Sequence, residues 1–497
     1  MRRELGAVLC TAVLLLAGCQ GFTTADGTAT PNGTDTPDEV VQITVSDTST
    51  DNGSVTFDDS GPPEDPERDR LGWEGGYWHN ESLDVNESDG LNASEQAALV
   101  NRSMARVEYI RDLEFEESVP VEVISRDEYT AGSGGSNGDA LREFDNGKFE
   151  ALFLTGESED SIETQESNLG ASVLGYYSPS EDSIVIVSDS EQPTISEGTL
   201  GHELVHALQD QQFDLNTTAQ TRDGVQGHNG LVEGDASAVD TEYTDRCGDE
   251  WECLIPETSG GGGGGGDRHA GISFLFYFPY SDGIDFVADL RDRDGWDAVD
   301  AAYDDVPDGA REVITPSDYP DWEPRNVTID QEPDDNWEQI RPSQDRARPD
   351  YGTVGPSGIA SAMAYTRTDT YNTSSVVTAP EVVNYGSDGT ISGTDPYNYD
   401  LAATSGWEGG RMEVYTNGTD GAYVWRTEWS DADDAETFAE AWGDVVDHWG
   451  GTRTSDGVWV IEADSPFTDA VAIHVDGDTV TVVNAPTEAQ LSELYDA

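Results

Sequence analysis

The chain has 497 residues, with 101 Asp and Glu against 24 Lys and Arg, and a formal net charge of −77. A charge of that sign and size excludes nucleic acid and anionic membrane surface as partners in ordinary salt, since both repel it. The acidic residues are spread along the whole length with apolar residues between them, 12 Trp included, which excludes wholesale disorder; such a chain folds only where molar salt screens its own repulsion.

The length predicts two or three domains. Residues 1–18 read as a targeting segment, with the basic start Met1-Arg2-Arg3 and then an apolar run too short to span a membrane. The run ends Leu16-Ala17-Gly18-Cys19, which matches a lipobox, so Cys19 is expected to carry lipid and to anchor the chain on the outer face of the cytoplasmic membrane. No transmembrane helix is expected in the mature chain. Residues 19–70 are rich in Thr, Asp, Gly, Ser and Pro and read as a disordered acidic stalk. Asn-x-Ser/Thr sequons recur from Asn32 to Asn417, a pattern that suits a glycosylated surface protein.

The folded part is expected from Leu71. Ser94 to Leu113 has helical apolar spacing and Val119 to Ile124 reads as a strand; a helix is expected around Ala140 to Thr155. Ala171 to Tyr177 and Ser183 to Val187, joined across Ser178-Pro-Ser-Glu-Asp182, read as a hairpin.

Next comes Gly201-His202-Glu203-Leu204-Val205-His206-Ala207-Leu208. On a helix His202 and His206 share one face, one turn apart, and two imidazoles so placed can bind one Zn²⁺; Glu203 is then the general base for a water. Leu200, Leu204, Ala207 and Leu208 form an apolar stripe, and Ser196 is the expected N-cap. Three of the seven His (His202, His206, His228) fall in this one window. After a looser stretch from Asn216 to Gly227, Leu231 to Tyr243 reads as a second helix. A catalytic zinc needs a third protein ligand and an open fourth position. Glu233 is the expected third ligand, with His228 as its competitor. Ser237 and Asp240, on roughly the same helix face, are candidates to hydrogen-bond a ligand His.

Cys247 and Cys253 remain once Cys10 leaves with the signal and Cys19 takes lipid, and outside the cell they read as a disulfide. Gly260 to Gly266 reads as a flexible loop. Phe274 to Phe278 is expected in the core, followed by short helices at Asp285–Arg291 and Trp296–Tyr303. Residues 331–350 lie in a Pro- and Asp-rich linker or long loop. Residues 351–497 read as a small α+β unit: strands at Arg411–Tyr415, Ala422–Trp429 and Val458–Ala463, a helix at Asp431–Trp449, a hairpin of Ala470–Val475 with Thr479–Val483, and a terminal helix at Glu488–Tyr495. His448 and His474 read as structural.

The stretch from His202 to Phe213, followed by Leu231-Val-Glu-Gly-Asp-Ala236, resembles the gluzincin class of zinc metallopeptidases. More closely, it resembles uncharacterised secreted zincin-like proteins of bacteria and surface lipoproteins of haloarchaea. The likeness extends over most of Leu71 to Ala497 through Phe278-Pro-Tyr280, Gly295-Trp296 and Gly406-Trp-Glu-Gly-Gly-Arg411; its specific motifs are the two in the centre. It implies a haloarchaeal source, a zincin-like catalytic domain at 71–330 (a strand hairpin plus metal-binding helices), and the α+β unit 351–497 packed on or beside it. It also implies Zn²⁺ on His202, His206 and Glu233, with Glu203 as general base. The class usually adds a Tyr or His that steadies the oxyanion, for which Tyr243, His228 and His269 are the candidates. The expected function is an extracellular, membrane-anchored zinc-dependent hydrolase of peptides or proteins. The alternative is a catalytically inactive zincin-fold lipoprotein serving as a binding or envelope protein.

The charge yields a first prediction. The thermal midpoint of the purified protein should climb steeply between dilute buffer and molar KCl, followed by circular dichroism; a midpoint indifferent to salt contradicts the reading of the charge.

Overall fold

The computed structural model describes residues 64–85, 90–132, 138–188, 195–254, 268–342 and 348–496. The targeting segment, Cys19, nearly all of the stalk and the glycine run Gly260 to Gly266 lie outside the described residues. The fold is α+β. A two-residue hairpin, β1 (Trp73–Glu74) with β2 (Tyr77–Trp78), leads into α1 (Ala93–Arg111). Asn92 caps α1 in a reciprocal box: its side chain accepts from the Ser94 and Glu95 N–H groups, while Glu95 accepts from the Asn92 N–H. After β3 (Val121–Ser125) come α2 (Arg126–Gly132), α3 (Asp139–Ala151) and α4 (Ser161–Ser172). Asp160 caps α4, and Ala171 and Ser172 close that helix instead of opening the expected strand.

Strands β4 (Gly175–Ser178) and β5 (Ser183–Ser188) form the expected hairpin. β5 also pairs in parallel with β3, so the order is β3-β5-β4 and β4 lies at the edge. The helix α5 (Glu197–Phe213) packs on this sheet, and α6 (Arg222–Arg246) packs on α5. α6 begins earlier than its apolar spacing suggests. Thr221 caps it by accepting from the Gly224 N–H, and Gly227 lies against the backbone of Pro307 and Gly309, where a side chain would not fit.

The aromatic run belongs to α7 (Ala270–Asp294), one continuous helix in place of an aromatic segment and a separate short helix. Pro279 has no N–H to give the Leu275 carbonyl four residues earlier, but the Gln226 side-chain amide donates to that carbonyl at 2.9 Å. The acceptor that Pro279 orphans is satisfied from α6, and the helix runs on. α6 and α7 cross at Gly230, Gly234 and Gly283; a Cβ on Gly234 would run into the Gly283 carbonyl, and one on Gly283 into the Gly230 carbonyl. Two short helices, α8 (Trp296–Ala302) and α9 (Ala310–Ile314), follow.

The stretch expected as a linker is stitched to the rest. Trp337 and Ile340 are buried, the Asp334 N–H donates to the Glu493 carbonyl, and β6 (Glu338–Gln339) pairs with the sheet beyond it. Helices α10 (Pro356–Tyr365) and α11 (Ala379–Val382) precede β7 (Trp407–Thr416) and β8 (Gly421–Trp429). Then come α12 (Ala432–His448), β9 (Gly451–Arg453), β10 (Trp459–Ile461), β11 (Ala470–Asp476), β12 (Thr479–Ala485) and the single-turn α13 (Leu491–Leu494). The sheet is antiparallel throughout, in the order β6-β7-β8-β12-β11-β10-β9.

One apolar core runs through both regions, from Phe149 and Phe276 to Trp425, Trp442 and Val482. A second lies between α1, the three-stranded sheet, α5 and α6, and holds Leu99, Ile184, Leu204 and Val239. Among the described residues no helix is long and apolar enough to cross a membrane.

The glycine crossing is testable. Gly234→Ala should destabilise the protein by ~1–3 kcal/mol through overpacking, read as a lower urea midpoint in molar salt; an unchanged midpoint would mean that the crossing tolerates a methyl group.

Candidate metal centre

The motif helix α5 is buried on every face. Leu200, Leu204, Val205, Ala207 and Leu208 are fully buried, and so are Glu203 and His206, with His202 1 % exposed. Ser196 caps the helix, accepting from the Thr199 N–H as expected. Glu197, in the first turn, is held by Arg102 at 2.8 Å and Arg106 at 2.5 Å, both from α1, and by the Tyr243 hydroxyl at 2.7 Å. Those contacts fix the start of α5 against α1 and α6, and with it the direction in which the two imidazoles point.

α6 brings Glu233 to them. The three ligand atoms form a triangle: His202 Nε2 to His206 Nε2 is 3.2 Å, and each Nε2 is 3.3 Å from Glu233 Oε2. A tetrahedral zinc bound at ~2.0–2.1 Å requires its ligand atoms about 3.3–3.4 Å apart. The side chains therefore lie at the spacing such an ion needs, and His202, His206 and Glu233 form a buried group that could hold a metal ion. His228, on α6, is not part of the group.

The charges around the triangle are strongly coupled. Burial works against ionising Glu233, yet His206 and His202 outweigh it and hold its carboxyl down at about 2. Burial also works against a charged His206, but Glu233 beside it, with Glu203 and Gln209, holds the imidazole up at about 9. For Glu203 burial dominates and lifts the carboxyl to about 7, against the pull of the two histidines. A group that titrates near neutrality can both take and return a proton.

Asp240 is buried close to His202: burial lifts its carboxyl to about 6, and the imidazole draws it back. Ser237 is only half-buried. Cys247 and Cys253 are joined in a disulfide just beyond α6. Of the oxyanion candidates, Tyr243 has its hydroxyl engaged with Glu197, and His269 caps α7 by accepting from the Ile272 N–H. Tyr280 is the aromatic residue beside the site, its ring stacked on His202 with centroids 6.1 Å apart. It lies two residues past the run Phe274 to Phe278 that reads as core.

Sequence reasoning missed two further residues. Gln209, one turn beyond His206, meets its Nδ1 at 2.9 Å, and Asp235 meets Gln209 at 3.2 Å. The spacing from His206 to Gln209 was a usable signal for the first, because residues three apart share a helix face; nothing in the sequence marked the second. His448 is structural, its Nε2 2.9 Å from Asp369 in the core of the C-terminal region.

The model of a domain of unknown function, DUF8575, matches residues 341–495, a stretch that holds most of the large sheet and none of the triangle. No curated protein and no solved structure matches the chain.

Removing Glu233 takes away one corner of the triangle. Glu233→Ala should weaken Zn²⁺ binding by at least ~10-fold in a chelator competition, and should cut the ~2.7 kcal/mol gain in stability that the parent protein shows at a free zinc concentration 100 times its Kd to ~1.4 kcal/mol or less. An equal gain in the variant would place the ion elsewhere.

Proposed function

We propose that the protein is a zinc-dependent peptide hydrolase of zincin-like fold. The observation that carries the reading is the triangle of His202, His206 and Glu233, spaced as a tetrahedral zinc requires, with the Glu203 carboxylate on the adjacent position of the same helix. Zinc bound there would supply a Lewis acid and lower the pKa of a water towards ~7. Glu203, buried beside the triangle, would accept the proton of the attacking water and return it to the leaving amine.

The edge strand supports a peptide as substrate. Among the described residues β4 is paired on one side only, and α5 packs against it. Just before β4 the Leu174 carbonyl accepts from the Val187 N–H, so by the alternation of a strand the polar backbone groups of Gly175 face away from β5, while the Tyr177 N–H on the same side is directed at the Glu203 carboxyl. An extended peptide can add there as a further strand. Tyr177 also ties this strand to the motif helix, its hydroxyl donating to Asp210 at 2.8 Å. In this reading the chain is exported, anchored by lipid on Cys19, and works in the high salt of a haloarchaeal exterior. The lipobox, the sequons and the acidic composition support that placement.

One observation favours a second reading. All three ligands and Glu203 are at most 2 % exposed, whereas a catalytic zinc keeps one position open to water and substrate. A closed site of this kind suits a surface lipoprotein that holds a metal for stability and binds a partner without cleaving it.

Zinc content and cleavage of a peptide library in molar salt separate the two. For the hydrolase, Glu203→Gln should keep zinc at one per chain and lower kcat by ~10²–10⁴. Zinc at full occupancy with no cleavage by the parent protein assigns the second reading, and a folded parent protein without zinc overturns both.

A further inference from the structure

The side of His206 that faces away from the triangle carries a second, fully buried arrangement. His206 Nδ1 lies 2.9 Å from Gln209 Oε1. The other end of the Gln209 amide, Nε2, lies 2.9 Å from the Val232 carbonyl and 3.2 Å from Asp235 Oδ2. Both of those groups only accept hydrogen bonds. The Gln209 amide therefore has one allowed orientation: its NH₂ must face the two acceptors, and its oxygen must face the histidine. An amide oxygen cannot donate, so the hydrogen lies on His206 Nδ1. When the ring is neutral its lone pair is then on Nε2, at the corner of the triangle.

Asp235 is itself fixed. Its Oδ1 accepts from Arg111 Nε at 2.8 Å, and its Oδ2 accepts from the Tyr303 hydroxyl at 2.8 Å. Arg111 is shared with Asp300 at 2.5 Å, and the Tyr303 ring stacks on Phe213, at the end of α5, with centroids 4.2 Å apart. Gln209 is 1 % exposed and Asp235 is fully buried, so water does not compete for these bonds. Asp235 is an anion held by a cation, and it cannot turn to offer Gln209 a donor.

We propose that Gln209 is the positioning residue of His206, and that Asp235, clamped by Arg111 and Tyr303, locks the Gln209 amide in the orientation that directs the His206 lone pair into the metal triangle. This rests on the metal-binding part of the proposed function. A ligand histidine is commonly oriented by a carboxylate or a carbonyl. Here the acceptor is a neutral amide whose direction is set one step further out, by a buried ion pair spanning α1, α6 and α8.

The test uses the full mature chain in molar salt, labelled with ¹⁵N at histidine, with Zn²⁺ affinity measured by chelator competition and folding checked by thermal melting. In the metal-free parent protein, His206 should show a slowly exchanging Nδ1–H resonance. Gln209→Leu should lose that resonance and bind Zn²⁺ about 10–100-fold more weakly. Asp235→Asn, which can turn a donor towards Gln209 and so loosens the orientation of its amide, should bind Zn²⁺ more weakly than the parent protein and more tightly than Gln209→Leu. The proposal is overturned if the parent protein lacks the resonance, if Gln209→Leu keeps full affinity, or if both variants lose affinity equally while the resonance persists. The first of these needs no variant to fold. A parent protein that binds no zinc overturns the proposed function and this inference with it, whereas one that binds zinc but lacks the resonance overturns this inference alone.

Discussion

Two imidazole nitrogens and a carboxylate oxygen about 3.3 Å apart, on side chains at most 2 % exposed, are the constraint to which the surrounding structure answers. Two imidazole nitrogens and a carboxylate oxygen do not gather at that spacing unless a proton or a cation lies among them, and the remaining contacts hold them in place. Glu197 and its two arginines fix the start of α5. The glycine crossing of α6 and α7 lets Glu233 and Tyr280 both reach His202, because a methyl group at Gly234 or Gly283 would push the helices apart. Gln226 closes the gap that Pro279 opens, so α7 can pass the site unbroken.

The placement of positive charge follows from the composition. With 24 basic residues against 101 acidic ones, cations are scarce, and several are inside. Arg102, Arg106 and Arg111 are at most 1 % exposed, and the single lysine of the chain, Lys148, is buried against Asp145. Each offsets a buried carboxylate that would be costly alone. The outer surface is therefore more nearly of one sign than the totals suggest, and its carboxylates are left to solvent cations for screening.

Much of the site could be read from the sequence because its signals are local. His202, His206 and the Ser196 cap follow from helical spacing within one element, and Glu233 from the need for a third ligand on the next helix. The α+β class, the hairpin before the motif and the strands and helix of the C-terminal region also follow from short-range periodicity. What was not legible depends on contacts far apart in sequence. Gln226 rescues Pro279 from another helix, so an unbroken α7 could not be deduced from its own residues. Arg111 reaches Asp235 across more than a hundred positions, so the second half of the Gln209 arrangement left no pattern in the chain. Tyr280 was hidden because an aromatic residue beside a metal centre and one in a core have the same composition.

The continuous core from Phe149 to Val482 changes what the family match means. The boundary at residue 341 does not fall between two bodies. It cuts a hydrophobic interior whose other wall is built by α3, α7 and the residues around them. The matched stretch is therefore one side of a cooperative unit that carries the histidines on its other side. A lesion in the β-sheet and a lesion in the helices would produce the same loss, so a phenotype mapped to the C-terminal half would not by itself assign that half a function of its own.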